Sequence, residues 1–205
     1  ADLDAATPLL GSLPREAGFA LPERQLGLAR PDELADLDQR LNAVAQALAE
    51  QPLAELPAPV AFHAAGSGPL PPLLRGLRIA VARDVAFCFI YQANLDLLRA
   101  LGAELRFFSP LAEARLPEAD SLYLPGGQLE LHLPALAANT ALLSAVRAHH
   151  RAGRPLLAEG GGLLYLLEAL TGADGARHRL TGVLPGEARI GSQLRAPGPQ
   201  RLALP

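Results

Sequence analysis

The sequence predicts an α/β fold, a mostly parallel sheet flanked by helices, on three observations. Short apolar runs recur at LRIAVA (77–82), AELRFF (103–108), SLYLP (121–125) and PLLAE (155–159), the lengths of buried strands. Stretches with helical spacing separate them, and that alternation implies right-handed crossovers and a parallel sheet covered on both faces. Two glycine clusters, Gly126-Gly127 and Gly160-Gly161-Gly162, close the third and fourth runs. Ligands of open α/β sheets gather beyond the carboxyl ends of the strands, so topology alone points to these clusters.

In chain order, residues 1–30 hold short apolar pieces broken by glycine and proline at turn spacing, which reads as strand ends and loops. From Asp32, a candidate N-cap, Leu34, Leu37, Leu41, Val44 and Leu48 recur at spacings of three and four, giving an amphipathic helix that ends near Glu50. Its stripe is expected to pack in a core. Residues 51–76 are dense in proline, glycine and alanine, which disfavours regular structure and suggests a linker. The organisation expected is therefore a small unit over 1–50, a linker over 51–76 and an α/β domain over 77–205. Within that domain Asn94 is placed to cap a helix through Leu101, Asn139 opens a helix to about Ala152, and a further helix is expected over 162–170.

The 205 residues are half hydrophobic with a formal net charge of −3, enough for a core and too nearly neutral for a nucleic-acid binder. No apolar run approaches the roughly 18 residues that span a bilayer, and the start lacks the pattern of a signal peptide, so neither a membrane nor nucleic acid is an expected partner. The single cysteine, Cys88, excludes an internal disulfide and any multi-cysteine metal site, and points to a cytoplasmic protein. It stands among aromatics in AFCFIY, the setting of a small core residue rather than a reactive thiolate. The chain opens on Ala1 and contains no methionine, which suggests a piece of a longer product.

Three readings fit RPLLAEGGGLLYLLEAL (154–170). A strained strand-to-helix turn can seat a nucleophile where nearby N–H groups stabilise an oxyanion, with Gly160 at its apex. Free N–H groups at a helix start can instead cradle an anion, although neither a Walker pattern nor G-x-G-x-x-G is present. Or the glycines only let the helix pack closely on the sheet. Beside the clusters, Glu130 and Glu159 could position an amino group or brace the turns by accepting backbone N–H bonds, the second role favoured for Glu159. His132 is the histidine best placed for ligand contact. His149 and His150 suit a helix C-terminus, His178 falls in a polar turn, His63 lies in the linker, and Arg83 and Asp84 suit a substrate mouth or a salt bridge.

The runs LRIAVARDVAFCFIYQANLDLLRALGAELRFFSPL, LYLPGGQLELHLPALAANT and RPLLAEGGGLLYLLEALTG, in that order, resemble the glutamine amidotransferase domain of the cobyrinic (or hydrogenobyrinic) acid a,c-diamide synthase family. Upstream, LPREAGFALPERQLGLARPDELADLDQRL resembles the end of the family's ATP-dependent domain, and LPAPVAF its linker. The resemblance implies a class I glutamine amidotransferase-like domain preceded by a remnant of a dethiobiotin-synthetase-like one. It also implies a glutaminase site that frees ammonia from glutamine, and a partner half that uses ATP and Mg²⁺ to activate the a and c carboxylates of a corrin; a homodimer is one assembly it admits.

The same resemblance marks what differs. The family's elbow reads AECGG where this chain has AEGGG, so Gly160 replaces the nucleophilic cysteine. The oxyanion turn GGYPE stands here as GGQLE, keeping Gly126, Gly127 and Glu130 while Gln128 and Leu129 depart; with Gly161 and Gly162 these are the residues implied for glutamine and the oxyanion. RHLGL appears as RQLGL, with Gln25 for the histidine. The family's catalytic histidine would follow Pro205 and its phosphate loop would precede Ala1. The expectation is a truncated, glutaminase-defective member in which ATP and Mg²⁺ belong to the full-length family, not to this chain alone, and in which no residue ligates a metal. A reading from another class is a non-catalytic module that binds an amino acid or a partner protein.

Overall fold

The apolar runs form one parallel sheet. β1 (Arg78–Ala82), β2 (Glu104–Phe108), β3 (Ser121–Leu124) and β4 (Leu156–Ala158) lie in the order β2-β1-β3-β4, with Val81 level with Phe107 and Tyr123, and Leu124 level with Ala158. The computed structural model describes residues 12–22, 29–49, 51, 58–61, 68 and 70–191. The chain divides into two compact units, Ala1–Ala65 and Gly66–Pro205.

In the second unit strand alternation sends successive side chains to opposite faces. Ala80, Ala82, Leu122 and Leu124 face the larger core with Leu142, Leu143 and Val146 of α4 (Thr140–Arg151), Leu133 and Leu136 of α3 (Leu133–Ala138), and Tyr165 of α5 (Gly161–Tyr165). Ile79, Val81 and Tyr123 face a smaller core completed by Leu95 of α2 (Gln92–Ala100). Leu74 packs on this second core and its N–H donates to the Leu101 carbonyl at 2.8 Å, so residues just before β1 belong to the α/β unit.

Four expectations need correction. Asn94 is not a cap: α2 starts at Gln92 with Tyr91 at its N-cap, and Asn94 lies within the helix beside Tyr123 on the wall of one cavity. α5 stops at Tyr165 rather than Leu170, because Thr181 donates both its hydroxyl (2.9 Å) and its N–H (3.2 Å) to the Tyr165 carbonyl. The chain then enters a second sheet, β5 (Ala169–Thr171), β6 (Arg177–Arg179) and β7 (Glu187–Arg189), in the order β6-β5-β7, which places His178 in a strand rather than a turn. α3 and a 3-10 turn at Leu129–Leu131 fill a stretch with no predicted element.

In the first unit the helix is α1 (Leu37–Ala49), and Asp32 sits in a 3-10 turn at Pro31–Glu33 rather than at its N-cap. Arg40 pairs with Asp36 at 2.7 Å and donates to the carbonyls of Ala17 and Ala20, fastening the preceding turn. None of the α1 side chains is fully buried, and Leu41 is 56% exposed, so the apolar stripe is not the core face expected of it. The expected strand ends over 1–11 and 23–28 lie outside the described residues, as do most of 51–69, including His63. Among the described residues no helix is long and apolar enough to cross a membrane.

Two side chains of the second unit yield predictions. Asp120 takes the Arg78 guanidinium through both its oxygens, at 3.0 and 2.9 Å, and the Arg78 N–H at 2.9 Å. These bonds hold its carboxyl well below the usual carboxylate range. A lowered native pKa contributes stability above the unfolded value, about 3.9, that is lost as pH falls toward the native one. The Tm deficit of Asp120→Asn relative to the parent should therefore be full at neutral pH and shrink as the pH is lowered through the carboxylate range. Tyr165 is fully buried edge-on to Phe87, with ring centroids 5.4 Å apart, and its hydroxyl has no partner among the described residues. Burial pushes this phenol's pKa up, reinforced by the nearby Asp84 charge. Removing an unsatisfied buried hydroxyl is favourable, so Tyr165→Phe should raise stability by about 1 kcal/mol in urea unfolding.

Candidate active site

The residue between β4 and α5 is Gly160, with φ +50° and ψ −117°. That backbone is costly for any residue with a Cβ, and glycine adopts it freely. Yet space is not what excludes a side chain: a Cβ at Gly160 would meet only the Gly126 Cα, at an ordinary 3.6 Å. The other glycine needed in the cluster is of a different kind. A Cβ at Gly162 would stand 2.1 Å from the Leu124 carbonyl oxygen, so α5 packs against the end of β3 at a distance only glycine permits. The packing reading and the elbow reading thus apply to different residues of the same triplet.

The Gly126-Gly127 turn lies against this apex. The Gly127 amide nitrogen comes within 3.4 Å of where a Gly161 Cβ would be, and the Glu159 carbonyl oxygen within 3.8 Å of a Gly126 Cβ. Behind the turn runs the loop after β1: Phe89 donates its N–H to the Gly126 carbonyl at 3.0 Å, and a Gly127 Cβ would fall 2.0 Å from the Ala86 carbonyl oxygen. Three strand ends therefore meet at one point. Neither the Gly127 nor the Gly161 N–H donates to any described residue, leaving two uncommitted donors beside the apex. In chemical terms the arrangement is a seat for a nucleophile and a pair of donors for an anion, with only hydrogen on the apical carbon.

Residues 78–197 match the family of CobB/CobQ-like glutamine amidotransferase domains. The chain belongs to this family. It is 57% identical over 195 residues to a hydrogenobyrinate a,c-diamide synthase of Pseudomonas aeruginosa, covering 95% of this chain and 45% of that protein. It is 58% identical over 195 residues to the enzyme of the same name from Stutzerimonas stutzeri, with the same 95% and 45% coverage. A cobyrinate a,c-diamide synthase of Herminiimonas arsenicoxydans is 42% identical over 199 residues, 96% of this chain and 45% of that protein. The chain thus spans under half the length of the curated relatives it matches.

The remaining candidates distribute unevenly around the two glycine turns. Glu159 does not brace its turn through backbone donors; its carboxylate accepts the Tyr123 phenol across the β3–β4 pair, while its backbone carbonyl accepts the Gly162 N–H at 2.8 Å. Tyr123 is pushed up to about 12 by burial first, then by its bond to Glu159, so it remains a donor at neutral pH. Glu130 stands partly exposed on the 3-10 turn with no side-chain hydrogen bond to a described residue, while Leu129 beside it is fully buried in the larger core. Gln128 is buried and partnered.

His132 is half-buried at the start of α3 and its ring makes no hydrogen bond to a described residue. His149 is not an exposed helix-end cation: it is buried, with Nε2 donating to the Pro155 carbonyl at 3.1 Å. Cys88 belongs to neither core; it is half-buried in the loop that backs the Gly127 turn. Asp84 forms no salt bridge with a described residue; its oxygens accept from the Ala86 and Phe87 N–H groups (2.8 and 3.1 Å), the Ser109 hydroxyl (2.8 Å) and the Leu111 N–H (3.0 Å), which ties the loops after β1 and β2 together. Arg83 stacks over the Phe107 ring, 5.1 Å from its centroid.

Tyr123 and Asn94 are the site neighbours missed in the sequence. The usable signal was parity: Tyr123 lies level with Leu157, so its side chain shares a sheet face with Leu157 and Glu159. As to Mg²⁺ and ATP, the sequence has no G-x-x-x-x-G-K-[S/T] run, and among the described residues no group of three or more His, Cys, Asp or Glu could hold a metal ion. No step is routed through either.

Proposed function

We propose that this chain is the glutamine amidotransferase part of a cobyrinate or hydrogenobyrinate a,c-diamide synthase in which glutamine hydrolysis has been lost at one position. The observation that supports this most is Gly160: a strained apex with room for a side chain and none present, set against a turn with two uncommitted N–H donors. Thioester chemistry needs a thiolate there to attack the glutamine carboxamide carbon, and losing a nucleophile lowers rates by several orders of magnitude. In the longer relatives the ammonia would serve amidation of the corrin a and c carboxylates, with ATP and Mg²⁺ handled by the synthetase half. The oxyanion role falls to Gly127 and Gly161, and Glu130 is the carboxylate free to receive the glutamine ammonium. Ammonia release from millimolar glutamine should not exceed a buffer blank, and release above it overturns the assignment of a lost site.

The uncommitted donors and the open apex also favour a second reading, a non-catalytic module that binds an amino acid or a partner synthase without hydrolysing glutamine. Calorimetric titration with glutamine separates the two: saturable heat without ammonia supports binding, and no heat at millimolar ligand removes the amino-acid reading.

A further inference from the structure

The sheet face that carries α2 is only half covered. α2 lies against β2 and packs Leu95 on Ile79 and Val81 of β1 and Tyr123 of β3, and beyond it a cavity of about 340 Å³ reaches Leu157 of β4. Its walls include Leu97, Leu98 and Leu157, with Leu97 48% and Leu157 57% exposed. Strands of parallel sheets are normally buried on both faces, so this exposure is a departure that calls for a ligand or a covering group. At one end the cavity is polar, and the polar groups are ordered. Asn94 and Tyr123 line this end together, and the Tyr123 phenol donates to the Glu159 carboxylate.

This donor ends on an anion. One bond from the phenol leaves most of the lone pairs of Glu159 unsatisfied, and no described residue supplies a cation to them. An apolar cavity of this size with a few convergent polar groups is the ordinary form of a small-molecule site. Here the complement is fixed by chemistry: an aliphatic body for the leucines and a donor-rich cation for the carboxylate. An anion would meet Glu159 repulsively, and a neutral alkyl chain would leave the carboxylate unmatched. The lining does not include Gly126, Gly127, Gly160 or Gly161, so the cavity does not depend on the glutaminase reading.

We propose that the cavity between α2 and β4 binds a small primary amine with an aliphatic body, its ammonium on the Glu159 carboxylate and its chain along Leu97, Leu98 and Leu157. The probe is n-hexylammonium, followed by methyl and amide NMR shifts on the whole chain, with n-hexanoate and n-hexanol as comparators. Saturable shifts confined to Leu97, Leu98, Leu157 and Tyr123 are expected with the ammonium, weaker ones with hexanol and none with hexanoate. A charged hydrogen bond of this kind makes Glu159→Gln weaken the ammonium about tenfold while leaving hexanol unchanged. The comparison on the unaltered chain stands even if Glu159→Gln folds poorly. Absence of saturable shifts, equal binding of hexanoate, or a folded Glu159→Gln with unchanged affinity each overturns the proposal. Ammonia release from glutamine has no bearing on any of these outcomes.

Discussion

Gly162→Ala should cost about 3 kcal/mol or more of stability, whereas Gly160→Ala, two residues away, should cost only about 1 kcal/mol. The two substitutions add the same methyl group and differ in what it meets. At Gly162 the new carbon would lie 2.1 Å from the Leu124 carbonyl oxygen and 2.8 Å from that of Pro125, both backbone atoms that cannot swing aside. Relief requires α5 to lift off the end of β3, which also separates the turn at Gly126-Gly127 from the apex. At Gly160 the methyl group would touch only the Gly126 Cα at 3.6 Å, so the cost is the φ of +50° alone, partly offset by the smaller freedom of alanine in the unfolded chain. Urea midpoints of the two variants with unchanged m-values decide the matter. Equal costs would mean that the triplet serves packing at both positions and that the apex has no room reserved for a side chain.

The strand pattern was legible because the central strands β1 and β3 are short, mostly apolar and largely buried runs, and glycine marks where the runs of β3 and β4 end. The meeting of the two glycine clusters followed from topology for the same reason: β3 and β4 are neighbours running in one direction, so their carboxyl ends must adjoin. What was not legible depends on tertiary partners. The length of α5 is set by Thr181 binding the Tyr165 carbonyl from sixteen residues away, a contact no local pattern encodes. The strands β5 to β7 are only three residues each, too short for alternation to register. Asn94 has the composition of a cap, but Tyr91 already opens the helix without a side-chain cap and leaves Asn94 inside its first turn. Glu159 was expected to brace its turn by accepting backbone N–H bonds, and it does not: it is solvent-facing, and the group within its reach is a phenol from the adjacent strand rather than a turn amide.

Gly160→Cys, made together with Cys88→Ala so that it carries the only thiol, should convert a chain inert toward a chloroketone analogue of glutamine into one alkylated stoichiometrically at position 160. The thiolate attacks the chloromethyl carbon, a C–S bond forms, and chloride leaves, so the step needs no base beyond solvent once the thiol has ionised. The apex would then hold its side chain in the strained conformation already present at φ +50° and ψ −117°, at a cost of about 1–3 kcal/mol that the rest of the unit must carry. Glutamine should slow the labelling if the donors at Gly127 and Gly161 hold the carboxamide oxygen. Turnover is a separate matter: acyl transfer from glutamine requires a base within hydrogen-bond reach of the sulfur, and hydrolysis of the thioester requires it again. Labelling without ammonia release is therefore the expected pair of results, and it separates the nucleophile seat from the base that turnover also needs. A folded variant that resists the chloroketone removes the nucleophile seat from the apex, while catalytic ammonia release would place a competent base within these 205 residues, with His132, at the start of α3, the first to substitute.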